Sequence, residues 1–216
     1  MNQEKALVWF RRDLRDHDHA ALSAALSNAR EVHCAFIFDT DILDALPSRQ
    51  DRRVQFIRES LVELDAALRA RGGGLIVRHG RASEEIPNLA RELGVASVYA
   101  NRDYEPAAKA RDAAVAENLE ALGIAFHTRK DQAIFDGDDV LTQAGRPFSV
   151  FTPYKNAWLK RLTSADYAEW SWRGKLAPCA SAAVPRLDQI GFAPTDLEQL
   201  GIRPGMSGAR ALWEEF

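Results

Sequence analysis

Three clusters of charged and polar residues each follow an apolar run: Arg11, Arg12 and Asp13 after ALVWF, Asp39, Thr40 and Asp41 after CAFIF, and Asn101, Arg102, Asp103, Tyr104 and Glu105 after SVYA. Guanidinium and carboxylate groups mixed in this way hold a ligand by ion pairs and hydrogen bonds. They do not form a nucleophile with its base, so the chemistry they suggest is binding. His17 and His19 stand among Asp13, Asp16 and Asp18, residue types that also bind metals. A charged loop opening a helix, with Asp16 or Asp18 as its N-cap, accounts for them more simply. His33, His79 and His127 lie on or beside apolar runs and read as core or rim histidines.

The patterns of other chemistries are missing. No G-x-G-x-x-G follows the first apolar run and no G-x-x-x-x-G-K-[ST] occurs, so a ligand here is held by side chains and not by a glycine loop. A serine hydrolase would place its serine in G-x-S-x-G, which is absent. Glu84 with Glu85 and Glu214 with Glu215 read as helix-terminal or solvated charges. Cys34 and Cys179 have no metal-type spacing and read as buried, unpaired thiols. Trp9, Trp158, Trp170, Trp172 and Trp213 fit packing before any electron or base-stacking path.

The elements that must position the polar clusters follow from periodicity. Apolar runs at 6–10, 32–38, 75–78, 97–101 and 125–127 alternate with helical segments near 20–29, 49–71, 83–93 and 106–122. That alternation predicts βαβ units, hence a Rossmann-like three-layer sandwich around a five-stranded parallel sheet. Ligands of open parallel sheets bind beyond the carboxyl ends of the strands, where all three clusters fall. In the second helix Val54, Phe56, Ile57, Leu61, Leu64 and Leu68 form the apolar side, and Gly72-Gly73-Gly74 ends it. Ser83 opens the third helix and Gly94 closes it.

From 133 to 163 turn residues at Asp136-Gly137-Asp138 and Gly145-Arg146-Pro147 predict irregular structure or a small hairpin. A helix then begins with Thr152 as cap and Pro153 at its first position, carrying Tyr154, Ala157, Trp158 and Leu162 on one face. The segment 164–216, punctuated by Pro178, Pro185, Pro194 and Pro204, reads as a linker laid over a surface. Its last ten residues, SGARALWEEF, have a capping serine and a helical period but no C-terminal cap, as expected of a chain whose next domain is missing.

A net charge of −3 from 28 basic and 31 acidic residues gives no overall electrostatic footprint for nucleic acid. No apolar run approaches the roughly 20 residues that cross a bilayer, and the opening MNQEK lacks the layout of a secretory signal. The expected location is cytoplasmic, with no membrane partner.

Three motifs carry a resemblance. LVWFRRDLRDHDHAAL (7–22) resembles the N-terminal signature of DNA photolyases and cryptochromes, W-F-R-x-D-L-R-x-x-D; YANRDYEPAAKARD (99–112) and VFTPYKNAWLKRL (150–162) resemble two further motifs of that family, in the same order and at its spacing. The chain departs at His19, where the family usually has asparagine.

The resemblance implies an antenna domain, 1–132 with its end at 133–163, followed by a linker and the start of a helical domain. In the whole protein that second domain would carry FAD, reach damaged DNA and split cyclobutane pyrimidine dimers under light; this chain alone is expected to be inactive and to hold only the second, light-gathering chromophore. Deazaflavin-binding members resemble this sequence at Arg12, Phe36, Phe38, Asp39, Arg53, Asp103 and Glu105. Arg12 and Arg53 would steady an anionic chromophore or its phosphate tail, Asp103 and Glu105 accept ring or ribityl hydrogen bonds, and Phe36 and Phe38 flank a flat ring. Folate-binding members carry Asn-Glu where this chain has Ala107-Ala108, so an 8-hydroxy-5-deazaflavin-like group or FMN is favoured over methenyltetrahydrofolate. The simpler alternative for Arg53 and Glu105 is a surface ion pair. The rival readings of the whole are a cryptochrome blue-light receptor domain, a nucleotide-binding α/β module, and an interaction module with an apolar patch around Trp158 and Trp213.

Overall fold

In a computed structural model, residues 3–180 and 183–216 are described. Strands β1 (Gln3–Phe10), β2 (Ala29–Asp39), β3 (Leu75–Gly80), β4 (Ser97–Asn101) and β5 (Ala125–Arg129) form one sheet in the order β3-β2-β1-β4-β5. Every pairing is parallel. Their β-branched and aromatic content suits a sheet covered on both faces.

Alternation along β1 divides the core. Ala6, Val8 and Phe10 join the layer packed by α1 (Ala20–Asn28) and α3 (Arg52–Ala70), while Leu7 and Trp9 join the layer packed by α4 (Ala82–Leu93) and α5 (Pro106–Ala121). The chain therefore winds away from β1 in both directions, and the reversal of winding opens the sheet's crevice between the carboxyl ends of β1 and β4.

Several boundaries differ from the sequence expectation. A short α2 (Thr40–Leu43) follows β2, capped by Asp39. Helix α1 is capped by His19, not by Asp16 or Asp18. Helix α4 starts one residue before Ser83, at Ala82, with no side-chain cap. On α3, Phe56 is partly exposed while Gln55, Ser60 and Asp65 are buried. These polar groups have specific partners: Gln55 Oε1 accepts from the N–H and hydroxyl of Thr195 at 2.7 Å, Ser60 Oγ accepts from Gly205 N at 3.0 Å, and Asp65 Oδ1 accepts from Leu75 N at 2.7 Å.

Residues 133–150 are irregular, tightened by a turn in which Thr142 N donates to Arg146 O at 2.9 Å. Helix α6 (Phe151–Arg161) is capped by Val150 without a side-chain bond, so Thr152 lies inside the first turn and Pro153 third in the helix. A proline costs little there because the first-turn N–H groups lack helical acceptors anyway. None of its residues is buried; Trp158 and Tyr154 only touch Phe135 and Phe148 edge-on.

The segment 164–216 does more than lie over a surface. It places Leu176, Val184, Ile190 and Phe192 in the core beneath α1 and α3, and it pairs with β2 through Val32 N to Lys175 O at 3.2 Å and Ala177 N to Val32 O at 2.9 Å. Asp18, held at φ 45°, accepts from Trp170 N at 2.9 Å and fixes the start of this run. It ends in α7 (Gly205–Glu215), packed on α3; Ser207 lies inside α7, its N–H and hydroxyl both bonded to Glu63. Cys34 is buried but Cys179 only half-buried, both as free thiols. Packing accounts for Trp9 and Trp172, not for Trp213, which is 80% exposed. No described helix is long and apolar enough to cross a membrane.

Candidate functional site

The crevice between β1 and β4 is held by a buried polar network. Asp13 follows β1 and Asn101 ends β4; Asn101 Nδ2 donates to Asp13 Oδ2 at 2.5 Å, and Asn101 Oδ1 accepts from Ala21 N at 2.9 Å. His19 Nδ1 accepts from Leu22 N at 3.1 Å, which leaves Nε2 as the protonated nitrogen facing Asp13 Oδ2 at 2.8 Å. The ring also packs on Phe10 at 4.7 Å. Arg11 N donates to the other oxygen of Asp13 at 2.8 Å. Burial works against the charge of Asp13, but the facing His19 and its hydrogen bond, with that of the Arg11 N–H, outweigh it and hold the carboxyl below the usual aspartate range. Where the family usually has asparagine, His19 supplies both an acceptor for the helix cap and a donor for Asp13.

Immediately outside this network lies the solvent-facing cluster. The Arg12 guanidinium reaches Glu105 at 2.8 Å and Asp103 at 3.3 Å. Asp103 is buried, whereas the side chains of Arg12 and Glu105 are 55% and 62% exposed. The hydrogen bond to Glu105, opposed by partial burial and assisted by the charges of Asp103 and Glu105, raises the Arg12 pKa further above its ordinary value. An exposed pair of this kind is worth about 0–1 kcal/mol, so a ligand can exchange for it at small cost.

Of the seven residues singled out from sequence, Arg12, Asp103 and Glu105 are brought together. Phe36 and Phe38 touch each other edge-on at 5.1 Å, but both are buried in the core and flank no open slot. Asp39 is buried, with Oδ1 accepting from Asp41 N at 3.2 Å and Ala82 N at 3.3 Å, so it joins the starts of α2 and α4. Arg53 pairs with Asp51 at 2.5 Å and not with Glu105, which corrects the simpler alternative. It lines a cleft of about 580 Å³ with Arg52 and Asp196, themselves paired at 2.6 Å. Because α3 leaves the same edge of the sheet, this cleft lies at the carboxyl end of the strands.

The sequence reading missed a second charged group. Arg11 Nη1 donates to both oxygens of Asp112 at 2.6 Å, and Arg111 Nη2 reaches the same carboxylate at 3.0 Å. Both guanidiniums lie over the buried Trp9 ring, at 4.8 and 4.9 Å. The available signal was the alternation of β1, which carries Leu7, Trp9 and Arg11 to one face. Beyond β4, Arg102 and the Tyr104 hydroxyl meet on Asp136 at 3.1 and 2.8 Å.

Comparison with known proteins places this geometry. The family described as DNA photolyase matches residues 6–172. The deoxyribodipyrimidine photo-lyase of Synechococcus sp. is 31% identical over 219 residues, covering 97% of this chain but only 44% of that protein. A class III photolyase from Agrobacterium tumefaciens superposes with a TM-score of 0.79 at 26% identity, over 98% of this chain and 44% of that one. An archaeal photolyase from Sulfolobus tokodaii, described with two FAD molecules and a novel light-harvesting cofactor, superposes at 0.73 with 27% identity, over 88% of this chain and 42% of that one. The chain thus spans less than half the length of these relatives.

Proposed function

The chain belongs to the DNA photolyase family, and from that premise we propose that it is the domain holding the light-gathering second chromophore of a light-driven deoxyribodipyrimidine photolyase. The observation that carries this reading is the exposed Arg12–Glu105 pair standing over the buried Asp13–Asn101–His19 network, at the crevice where parallel sheets bind ligands. Its polar groups are pre-positioned, and the site contains no acid–base apparatus. That suits a cofactor which needs only to be fixed, oriented and kept from water. The light-harvesting cofactor described for the Sulfolobus tokodaii relative supports the same role.

The donor set fits a flavin-like group. Arg12 would meet an anionic ring edge, Glu105 and Asp103 would accept ring or ribityl hydrogen bonds, and Arg53 with the cleft at α3 would take a phosphate tail. Asp39 braces the adjoining rim through α2 and α4. Phe36 and Phe38, being buried, would serve as floor and not as flanking walls. A reduced folate fits less well, because Ala107 and Ala108 offer no side-chain hydrogen bond. In the whole protein, FAD in a C-terminal helical domain would perform dimer splitting on damaged DNA, with this domain as its partner.

Absorption spectra of the chain, taken with an 8-hydroxy-5-deazaflavin, FMN and methenyltetrahydrofolate in turn, test the proposal. A red-shifted, saturable band with either of the first two is expected. A band with the folate alone would overturn the chromophore assignment, and no band with any of the three would overturn the site. The chain by itself, illuminated with added FAD, is expected to split no pyrimidine dimers; measurable splitting would contradict the division of labour.

A further inference from the structure

The cluster behind β1 leaves a demand that the described residues do not meet. The Arg11 side chain is only 7% exposed, and its Nη2 is buried with no hydrogen-bond partner. Buried guanidinium donors are ordinarily satisfied on every face, since an unpaired charged donor is costly. Two buried cations, Arg11 and Arg111, share the single carboxylate of Asp112, so positive charge is left over.

Asp112 is also on the wall of a cleft of about 340 Å³, together with Arg102, Asp103, Tyr104, Lys109 and Asp136. Each carboxylate there is already engaged: Asp103 by Arg12, Asp112 by Arg11 and Arg111, and Asp136 by Arg102 and Tyr104. Lys109 is the exception among the cations, its ammonium having no ion pair or hydrogen bond among the described residues. The adjoining first turn of α5 has no side-chain cap and no acidic residue. What the cleft lacks is acceptors.

We propose that this cleft is an oxyanion site, taking a phosphate monoester or carboxylate against Lys109, the uncapped first turn of α5, and the unpaired Nη2 of Arg11 behind Asp112. The volume suits a small molecule or the anionic end of a larger one. The cleft shares Asp103 with the chromophore site but does not depend on that reading, and the phosphate has two possible sources: a chromophore's own tail or a free phosphorylated metabolite.

The test is a titration of inorganic phosphate into the 15N-labelled chain at constant ionic strength, following backbone amides and arginine side-chain N–H signals. The expected result is saturable shifts concentrated at Arg11, the first turn of α5 and Asp112, with affinity falling about tenfold in Lys109→Met, the loss of one charge-assisted contact. Lys109 is exposed, so that variant should fold as the parent does. FMN and riboflavin separate the two sources. If FMN binds more tightly than riboflavin and Lys109→Met abolishes the difference, the oxyanion is the chromophore's tail; if phosphate binds and the two flavins do not differ, it is a free ligand. Both results support the site. Shifts that do not saturate, spread over unrelated basic residues, or persist unchanged in Lys109→Met would overturn it. A chain that binds no chromophore leaves the phosphate result intact, so the two proposals fail separately.

Discussion

Asn101 Nδ2 meets Asp13 Oδ2 at 2.5 Å across 88 residues of sequence, and this one contact ties the carboxyl end of β4 to that of β1. Its geometry sets where Arg12, one residue before Asp13, can reach Asp103, two residues beyond Asn101. Asp13→Ala would leave the His19 Nε2–H, the Asn101 amide and the Arg11 N–H without their acceptor. A loss of about 3 kcal/mol is expected from breaking such a buried charged network, measurable as a lower midpoint in urea at unchanged slope.

The pH dependence of stability follows from the same residue. Asp13 titrates lower in the fold than in the unfolded chain, so its contribution is present above the ordinary value of about 3.9 and is lost as pH falls from there toward the folded value. His33 and His127 are held below their ordinary value, first by burial and then by the charges of Lys5 and Arg129 respectively. Stability should therefore begin to decline below about pH 6.5, where the unfolded histidines take up protons. Denaturation at a series of pH values should show Asp13→Asn retaining the upper decline and flattening the lower one; an unchanged lower limb would reject the assignment.

Gly174 is required where the tail meets α1. Its φ is +129°, and a Cβ there would approach the backbone oxygen of Leu26 to 2.6 Å. Neither the strain nor the contact with main chain is easily relieved, so Gly174→Ala should cost on the order of 2 kcal/mol. Hydrogen exchange should show the loss concentrated in the tail residues paired with Val32.

Much of the architecture was legible in the sequence because each strand is a short apolar run and each long helix has a clear period. The caps were less so. Asp16 and Asp18 are better intrinsic caps than histidine, yet Asp16 pairs with Arg71 and Asp18 bonds to Trp170, contacts over 50 residues away in sequence that no local pattern announces. The tail was read as covering a surface because its prolines hide periodicity, although Leu176 and Phe192 enter the core. At the site, Arg12, Asp103 and Glu105 were found because all three follow strands in register. Arg11 was passed over as a neighbour of Arg12, and Phe36 and Phe38 could not be placed relative to solvent without the packing of α1 and α3.

Tyr104 provides a spectroscopic handle on the adjoining cleft. Burial, followed by the hydrogen bond to Asp136 and the charge of that carboxylate, pushes its hydroxyl up to about 12. Ultraviolet titration of the phenolate should show one late-ionising tyrosine, identified by its loss in Tyr104→Phe. In Asp136→Asn that ionisation should move toward the ordinary value of about 10.

The central claim is that the Arg12 cluster receives the chromophore, and the most direct measurement is the dissociation constant for FMN or a deazaflavin in the parent chain and in Arg12→Ala. Arg12 is more than half exposed, so thermal stability should be nearly unchanged. One-to-one binding that weakens about tenfold or more in Arg12→Ala is the predicted result. Binding that is indifferent to Arg12→Ala, or no saturable binding of either chromophore, would contradict the account.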